Sequence, residues 1–305
     1  MLESTVYARL PRGGLGNKLL VWARALIFAR QHGLPLYVSG WADIKIGPYL
    51  RGERVKRQYR GYFSDSSVPS LKQRIFFSTL YDVHHQSDLN IDQSLGFDKN
   101  GQLYLFDTVP SWHDYFYELR GHEELVRASF YKMLDIRYRE QLREFNRPII
   151  AVHIRRSDFR ELAPGESLGE NCNVRTPISY YTNAILALRK IAGWNLPVTV
   201  FTDGRAEEVK EVLALPTVAI AAPNHDILDL LLMSKAECLV TSMGSTFSYW
   251  AAYISQAPVI THPAHPLAIR ANSKISQCYE GPLGLDGNWS PVLVRNIRNI
   301  AGHQT

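Results

Sequence analysis

The segment His153-Ile154-Arg155-Arg156-Ser157-Asp158 sets two guanidinium groups and a carboxylate directly after a short apolar run, Pro148-Ile149-Ile150-Ala151-Val152. That run is rich in β-branched residues and reads as a central parallel strand. Arg155 and Arg156 then fall at its carboxyl end, where open α/β sheets bind their ligands. A guanidinium fork matches phosphate oxygens, and each charge-assisted hydrogen bond is worth roughly 1.5–3 kcal/mol. Two arginines followed by an aspartate could serve a diphosphate and a neighbouring acid–base step. The same residues could equally form a solvated salt-bridge cluster.

Three further segments carry polar or glycine-rich turns. Arg12-Gly13-Gly14-Leu15-Gly16-Asn17-Lys18 precedes a helix-like stretch at 19–31. Its glycines let the backbone turn sharply and approach a ligand, and Asn17 can cap the helix. It is neither the dinucleotide fingerprint, because Leu19 stands three after Gly16, nor a P-loop. A plain strand-to-helix turn is the alternative. Val198-Thr199-Val200-Phe201-Thr202-Asp203-Gly204 is a β-rich run ending in a polar turn. Asp229 opens a run that continues through Ser234. A short strand at 238–241 then meets Met243-Gly244-Ser245-Thr246 and the apolar helix beginning Phe247-Ser248-Tyr249-Trp250-Ala251-Ala252. Free N–H groups at that helix start, with the hydroxyls of Ser245 and Thr246, would make a second phosphate cradle. N-capping by Ser245 is compatible with it.

The set G-G-L-G-N, H-x-R-R-x-D, F-[ST]-D and [ST]-[ST]-F-S-x-W-A-A runs in order from Gly13 to Ala252 and resembles the α-1,2-fucosyltransferases. These belong to a superfamily with the α-1,6- and protein O-fucosyltransferases. The resemblance implies an α/β GT-B fold, two Rossmann-like domains with the cleft between them. It also implies a GDP-fucose donor, inversion at the sugar C1, and no required metal or other cofactor. Carried over by position, Arg155 would hold the β-phosphate, with Ser245 and Thr246 completing that site. Asp229 would read guanine, His153 would sit beside the base and ribose, and Asp203 near the nucleotide. Asn17 would face the donor phosphate from the N-terminal domain. Gly14, Gly16, Arg156 and Phe247 complete the implied donor contacts. Lys18 stands where these enzymes usually have glutamine, residues 243–246 replace a more serine-rich stretch, and Tyr249 replaces a tryptophan. These departures leave acceptor and linkage open.

An inverting transfer needs a group to take the acceptor hydroxyl proton. Asp158 is the first candidate, unless it only orients Arg155 or Arg156. Glu161 and Glu166, in the long loop 159–175, come next, and a loose transition state would let the diphosphate itself accept the proton. No Asp-x-Asp triplet occurs, and His84-His85 and His262-Pro263-Ala264-His265 read as loop residues rather than metal ligands. The arginines and the helix start would neutralise the leaving diphosphate instead. Trp22, Leu26 and Phe28, like Phe247, Trp250 and Tyr253, recur at helical spacing and read as core. The aromatics between Trp112 and Tyr117 are candidates for acceptor contact.

These residues must be positioned by a chain of 305 residues with 46% hydrophobic content, enough for two α/β domains. We expect an acceptor-side domain at 1–145 and a nucleotide-sugar domain at 146–305, with the chain end packing back on the first. Strands are expected at 35–39, 102–106, 198–202 and 217–221, and helices at 206–215 and 226–235. Another helix opens at Thr176-Pro177 and ends at Gly193. This alternation predicts a doubly wound parallel sheet. Three widely spaced cysteines and the lack of a leading apolar segment or membrane span suggest a cytoplasmic enzyme. The net charge of +5 would suit a nucleotide sugar, or peripheral attachment to an anionic membrane bearing a lipid-linked acceptor. The basic stretch 51–60, with Tyr59 and Tyr62 close by, resembles no nucleic-acid module, and no nucleic-acid partner is expected.

The resemblance therefore implies transfer of L-fucose from GDP-fucose to a sugar hydroxyl, α-1,2 to a terminal galactose of a surface glycan or its precursor. The rivals are another fucose linkage or nucleotide sugar on the same architecture, and a non-catalytic glycan- or nucleotide-binding protein.

Overall fold

The computed structural model describes residues 2–42, 59–64, 68–88, 101–271, 277–284 and 286–302. Two parallel sheets organise them. The first holds β1 (Thr5–Arg9), β2 (Leu36–Ser39), β3 (Asp82–His85) and β4 (Gln102–Phe106) in the order β2-β1-β4-β3. The second holds β5 (Ile150–Ile154), β6 (Val198–Thr202), β7 (Val218–Ile220), β8 (Cys238–Val240), β9 (Val259–Thr261) and β10 (Glu280–Pro282). Its order is β10-β9-β8-β5-β6-β7. Parallel sheets are covered on both faces, so their central strands read as unbroken apolar runs. All five residues of β5 are buried.

Helix α1 (Leu15–His32) explains how the halves are joined. Every residue from 15 to 29 is buried except Asn17, because the helix is covered on all sides. It packs between the first sheet and α8 (Thr246–Ile254) of the second half, and α8 in turn packs on α7 (Asp226–Lys235), within one continuous core. Trp22 meets Trp250 edge-on at 6.5 Å, and Phe116 stacks on Trp250 and Tyr253. Trp22, Leu26, Phe28, Trp250 and Tyr253 are therefore core, as their spacing predicts, whereas Phe247 is only half-buried.

Several local expectations change. The helix expected at 19–31 begins at Leu15, with Gly14 at its N-cap in an extended conformation, so Asn17 lies inside the first turn and is not a cap. Thr176 does not cap the helix Ile178–Ala192; Pro177 holds the cap position and the Thr176 hydroxyl accepts the Met243 N–H at 3.1 Å. Gly193, at φ 82°, ends that helix as expected. His84 and His85 belong to β3, not to a loop. The last helix, Pro291–Gly302, buries Leu293, Ile297 and Ile300 in the core beneath the second sheet. Residues 51–58 of the basic stretch lie outside the described residues. No helix among the described residues is long and apolar enough to cross a membrane.

Candidate active site

The carboxyl ends of β5 and β8 are tied together by one hydroxyl. Ser242 Oγ accepts the Arg155 N–H at 2.9 Å, donates to the His153 carbonyl at 3.0 Å, and contacts the Tyr181 hydroxyl. This fixes the backbone from which the Arg155 side chain leaves the sheet. Its guanidinium is then shared between two carboxylates. Nε and Nη2 reach Asp158 Oδ1 at 3.0 and 2.7 Å, and Nη1 reaches Asp203 Oδ2 at 2.8 Å. Phe159 lies beneath it, with its ring centre 5.7 Å from the guanidinium carbon.

Asp203, at the end of β6, also accepts the Arg156 N–H at 2.7 Å and the Ser157 hydroxyl at 2.7 Å. Burial alone would raise its carboxyl. The Arg155 charge, the Ser157 hydroxyl and the Arg156 N–H outweigh burial and hold it below the ordinary carboxylate value. Burial pushes the His153 imidazole far down, and Arg155 adds to that against the pull of Asp203, so His153 is neutral at physiological pH.

The second cradle forms where β8 runs into α8. Gly244 adopts φ 71°, and a Cβ there would lie 2.2 Å from the Cys172 carbonyl oxygen. A glycine is required because the loop 159–175 packs directly on this turn. Ser245 occupies the N-cap of α8, but its side chain makes no capping bond. The N–H groups of Thr246 and Phe247 open a helix, where no intrahelical carbonyl is available to them. Thr246 Oγ1 donates to Asn17 Oδ1 at 2.9 Å, bringing in the first turn of α1. Gly16 permits this approach, since a Cβ there would come within 2.7 Å of the Thr246 backbone.

Tyr249, the replacement for a tryptophan, is not idle. Its hydroxyl accepts the Gly244 N–H at 2.9 Å and bonds His265 Nδ1 at 2.8 Å, while His265 Nε2 meets the Trp112 carbonyl at 2.9 Å. A carbonyl only accepts, so Nε2 carries the proton and the Tyr249 hydroxyl donates to Nδ1.

These groups surround a single cavity. From the first half it takes Gly14, Gly16 and Asn17, and from the second His153, Arg155, Asp158 and Asp203. Asp229, Ser245, Thr246 and Phe247 complete the sequence-predicted set. The Phe247 ring lies 5.5 Å from His153. Arg156 is the exception: it is buried, its backbone N–H serves Asp203, and it does not line the cavity. Glu166 is bound by Arg160, Asn171 and the Ala163 N–H, which hold its carboxyl down at about 2, and Glu161 pairs with Arg175. Neither glutamate lines the cavity.

The sequence reading did not assign Tyr59, Phe201, Thr202, Asn173 or Asp226 to the site, though it named Tyr59 beside the basic stretch and Phe201-Thr202 in the F-[ST]-D motif; all line the cavity, as does Phe159, named only as a loop boundary. Asp226 had a signal, because it sits three residues before Asp229 in the first turn of α7, where i and i+3 share a face. Of the aromatics at 112–117, Tyr115 lines the cavity, Phe116 is core and Tyr117 is exposed. Among the described residues no three His, Cys, Asp or Glu side chains are grouped to hold a metal.

Two parallel α/β sheets with a cleft lined from both define a GT-B glycosyltransferase. The profile of glycosyl transferase family 11 matches residues 81–266, and the chain belongs to that family, the α-1,2-fucosyltransferase family its motifs resemble. The sequence finds no match among curated proteins. Among solved structures the chain is similar to the NodZ α-1,6-fucosyltransferase soaked with GDP-fucose, at 15% identity and TM-score 0.50, over 86% of this chain and 95% of that one. It is similar also to the fucosyltransferase NodZ from Bradyrhizobium, at 14% identity and TM-score 0.50, over 87% and 97% of the two chains. At these identities the likeness bears on the fold.

Proposed function

We propose that the enzyme transfers L-fucose from GDP-fucose, with inversion, to a hydroxyl of a terminal galactose, forming an α-1,2 linkage. The observation that carries this is one cavity combining Arg155, the opening N–H groups of α8, and the paired carboxylates Asp226 and Asp229. A fork of N–H donors beside a helix start suits a diphosphate. A carboxylate suits the N1–H and exocyclic amino group of guanine, a role we assign to Asp229. The NodZ structure soaked with GDP-fucose supports the donor by fold likeness.

In this reading Arg155 and α8 stabilise the charge that develops on the leaving diphosphate, which is where electrostatic catalysis acts. Asn17, held by Thr246, contributes from the acceptor-side half, residues 1–145. A carboxylate already accepting two guanidinium N–H bonds is a weak base, so Asp158 acts as a positioning residue for Arg155, and the departing diphosphate takes the acceptor proton. Arg155 and the helix start supply the neutralising charge, and transfer proceeds without a metal. The basic excess and three free cysteines support action in the cytoplasm, at or near the inner membrane face.

The test is the product. Incubation with GDP-fucose, a β-galactoside and EDTA should give one fucosylated product whose NMR couplings and correlations identify an α linkage to galactose O2. A different linkage would overturn the regiochemistry, and loss of transfer on adding EDTA would overturn metal independence.

A further inference from the structure

At the carboxyl edge of the first sheet lies a second groove of about 670 Å³, lined by Arg9, Arg12, Ser39, Trp41, Arg74 and Asp107. Among the described residues its charge is lopsided: three arginines face one carboxylate, and Asp107 is already paired with Arg9. Among the described residues no carboxylate is paired with Arg12 or Arg74, and both side chains are exposed. Arg74 is anchored by its Nε, which donates to the Pro69 carbonyl at 3.3 Å. Behind the groove, the fully buried Lys18 donates from Nζ to the Pro11 carbonyl at 2.9 Å and to the Gly40 carbonyl. Pro11 and Gly40 themselves line the groove, so a fourth cation fixes its wall. The Trp41 indole N–H is a further donor, with no partner among the described residues.

The connection between β1 and α1 serves both concavities. It gives Pro11 and Arg12 to this groove and Gly14, Gly16 and Asn17 to the donor cavity. The donor diphosphate already has its cation, Arg155, on the other sheet. An anion held on the first sheet therefore belongs to the other substrate. We propose that this groove binds a carboxylate or phosphate group on the acceptor, so that the enzyme acts on acidic glycans. This rests on the reading above that the chain transfers a sugar to a glycan.

The test measures acceptor binding without donor, by calorimetry, on the wild-type chain and on Arg12→Gln/Arg74→Gln. The probes are a galactose-terminated oligosaccharide containing a uronic acid, its carboxyl-reduced counterpart, and a galactose-terminated disaccharide bearing a phosphate at its reducing end. With two charge-assisted contacts at stake, at least one acidic probe should bind the wild type about tenfold or more tighter than the neutral probe. That ratio should collapse towards one in the double variant, and the two acidic probes tell carboxylate from phosphate. Arg12→Gln and Arg74→Gln alone should each give part of the loss. Equal affinities in the wild type, or an acidic preference retained in the double variant, would overturn the proposal. Failure of the donor reading shows separately, as absence of GDP release from GDP-fucose with any acceptor.

Discussion

Thr246 Oγ1 donates to Asn17 Oδ1 at 2.9 Å across 229 positions of sequence, joining the first turns of two helices that belong to different halves of the molecule. The contact exists because Gly16 has no Cβ; one built there would sit 2.6 Å from the Thr246 carbonyl carbon. Alanine is normally the better helix former. Here Gly16→Ala must push backbone against backbone, and overpacking of this kind costs about 1–3 kcal/mol. Urea unfolding should report that loss, and GDP titration should report weaker binding, because the displaced element is the start of α8.

Among the described residues Arg155 is the one cation lining the cleft cavity, held by Asp158 and Asp203, and the proposed function gives it the donor phosphates. Arg155→Ala should lower GDP affinity by about tenfold to a hundredfold or more, as expected for lost charge-assisted hydrogen bonds, and abolish transfer. Circular dichroism should show the fold intact. Arg155→Lys should recover only part of the affinity, because an ammonium cannot span two oxygens as a fork does. Unchanged turnover in the alanine variant would remove Arg155 from the phosphate site.

Asp158→Asn separates positioning from base catalysis. If Asp158 holds Arg155, the variant loses GDP affinity and transfer together, and the pH profile of kcat keeps its shape. Intact GDP affinity with kcat reduced by a factor of 10² or more would instead identify Asp158 as the base.

Asp229→Ala should erase most of the preference for guanine, lowering the GDP-to-ADP affinity ratio by about tenfold to a hundredfold. Competition binding with the two nucleotides measures it. Retained selectivity would shift that role to Asp226, its neighbour on the same helix face.

Stability should fall in mild acid. His262 is pushed down to about 4, first by burial and then by His265, and burial lowers His265 and His153 as well. Between the depressed folded values and the unfolded value near 6.5, the unfolded chain binds protons that the folded chain does not. The stabilisation is complete above about pH 6.5 and is lost as pH falls below it. Protonation is opposed because His262 Nδ1 accepts the Ala264 N–H and His265 Nδ1 accepts the Tyr249 hydroxyl. Tm should drop between pH 7 and pH 5; a flat Tm would contradict these assignments.

The second half was the more legible in sequence. Its strands end in polar turns and its helices keep a clean 3.6-residue period, so β5, β6 and α7 were readable to within two residues. Arg155, Ser245 and Thr246 followed because strand ends and helix starts are marked by residue type, whereas Asp203 and Asp229 were brought to the site by the family resemblance. Arg156 was indistinguishable from Arg155 in sequence, since only the turn after β5 decides which side chain enters the cavity. Tyr59 and Asn173 arrive from separate segments, and long-range packing that joins segments leaves no local spacing to read; Asp226 alone carried a local signal, its i, i+3 spacing from Asp229. Tyr249 looked like a simple substitution, yet its hydroxyl ties the Gly244 turn to His265.

The most direct test of the account is GDP release by the purified enzyme across a panel of nucleotide sugars, with and without acceptors ending in β-galactose. The account predicts acceptor-dependent release from GDP-fucose and little from the other donors. Silence with GDP-fucose alongside turnover of another nucleotide sugar would contradict it.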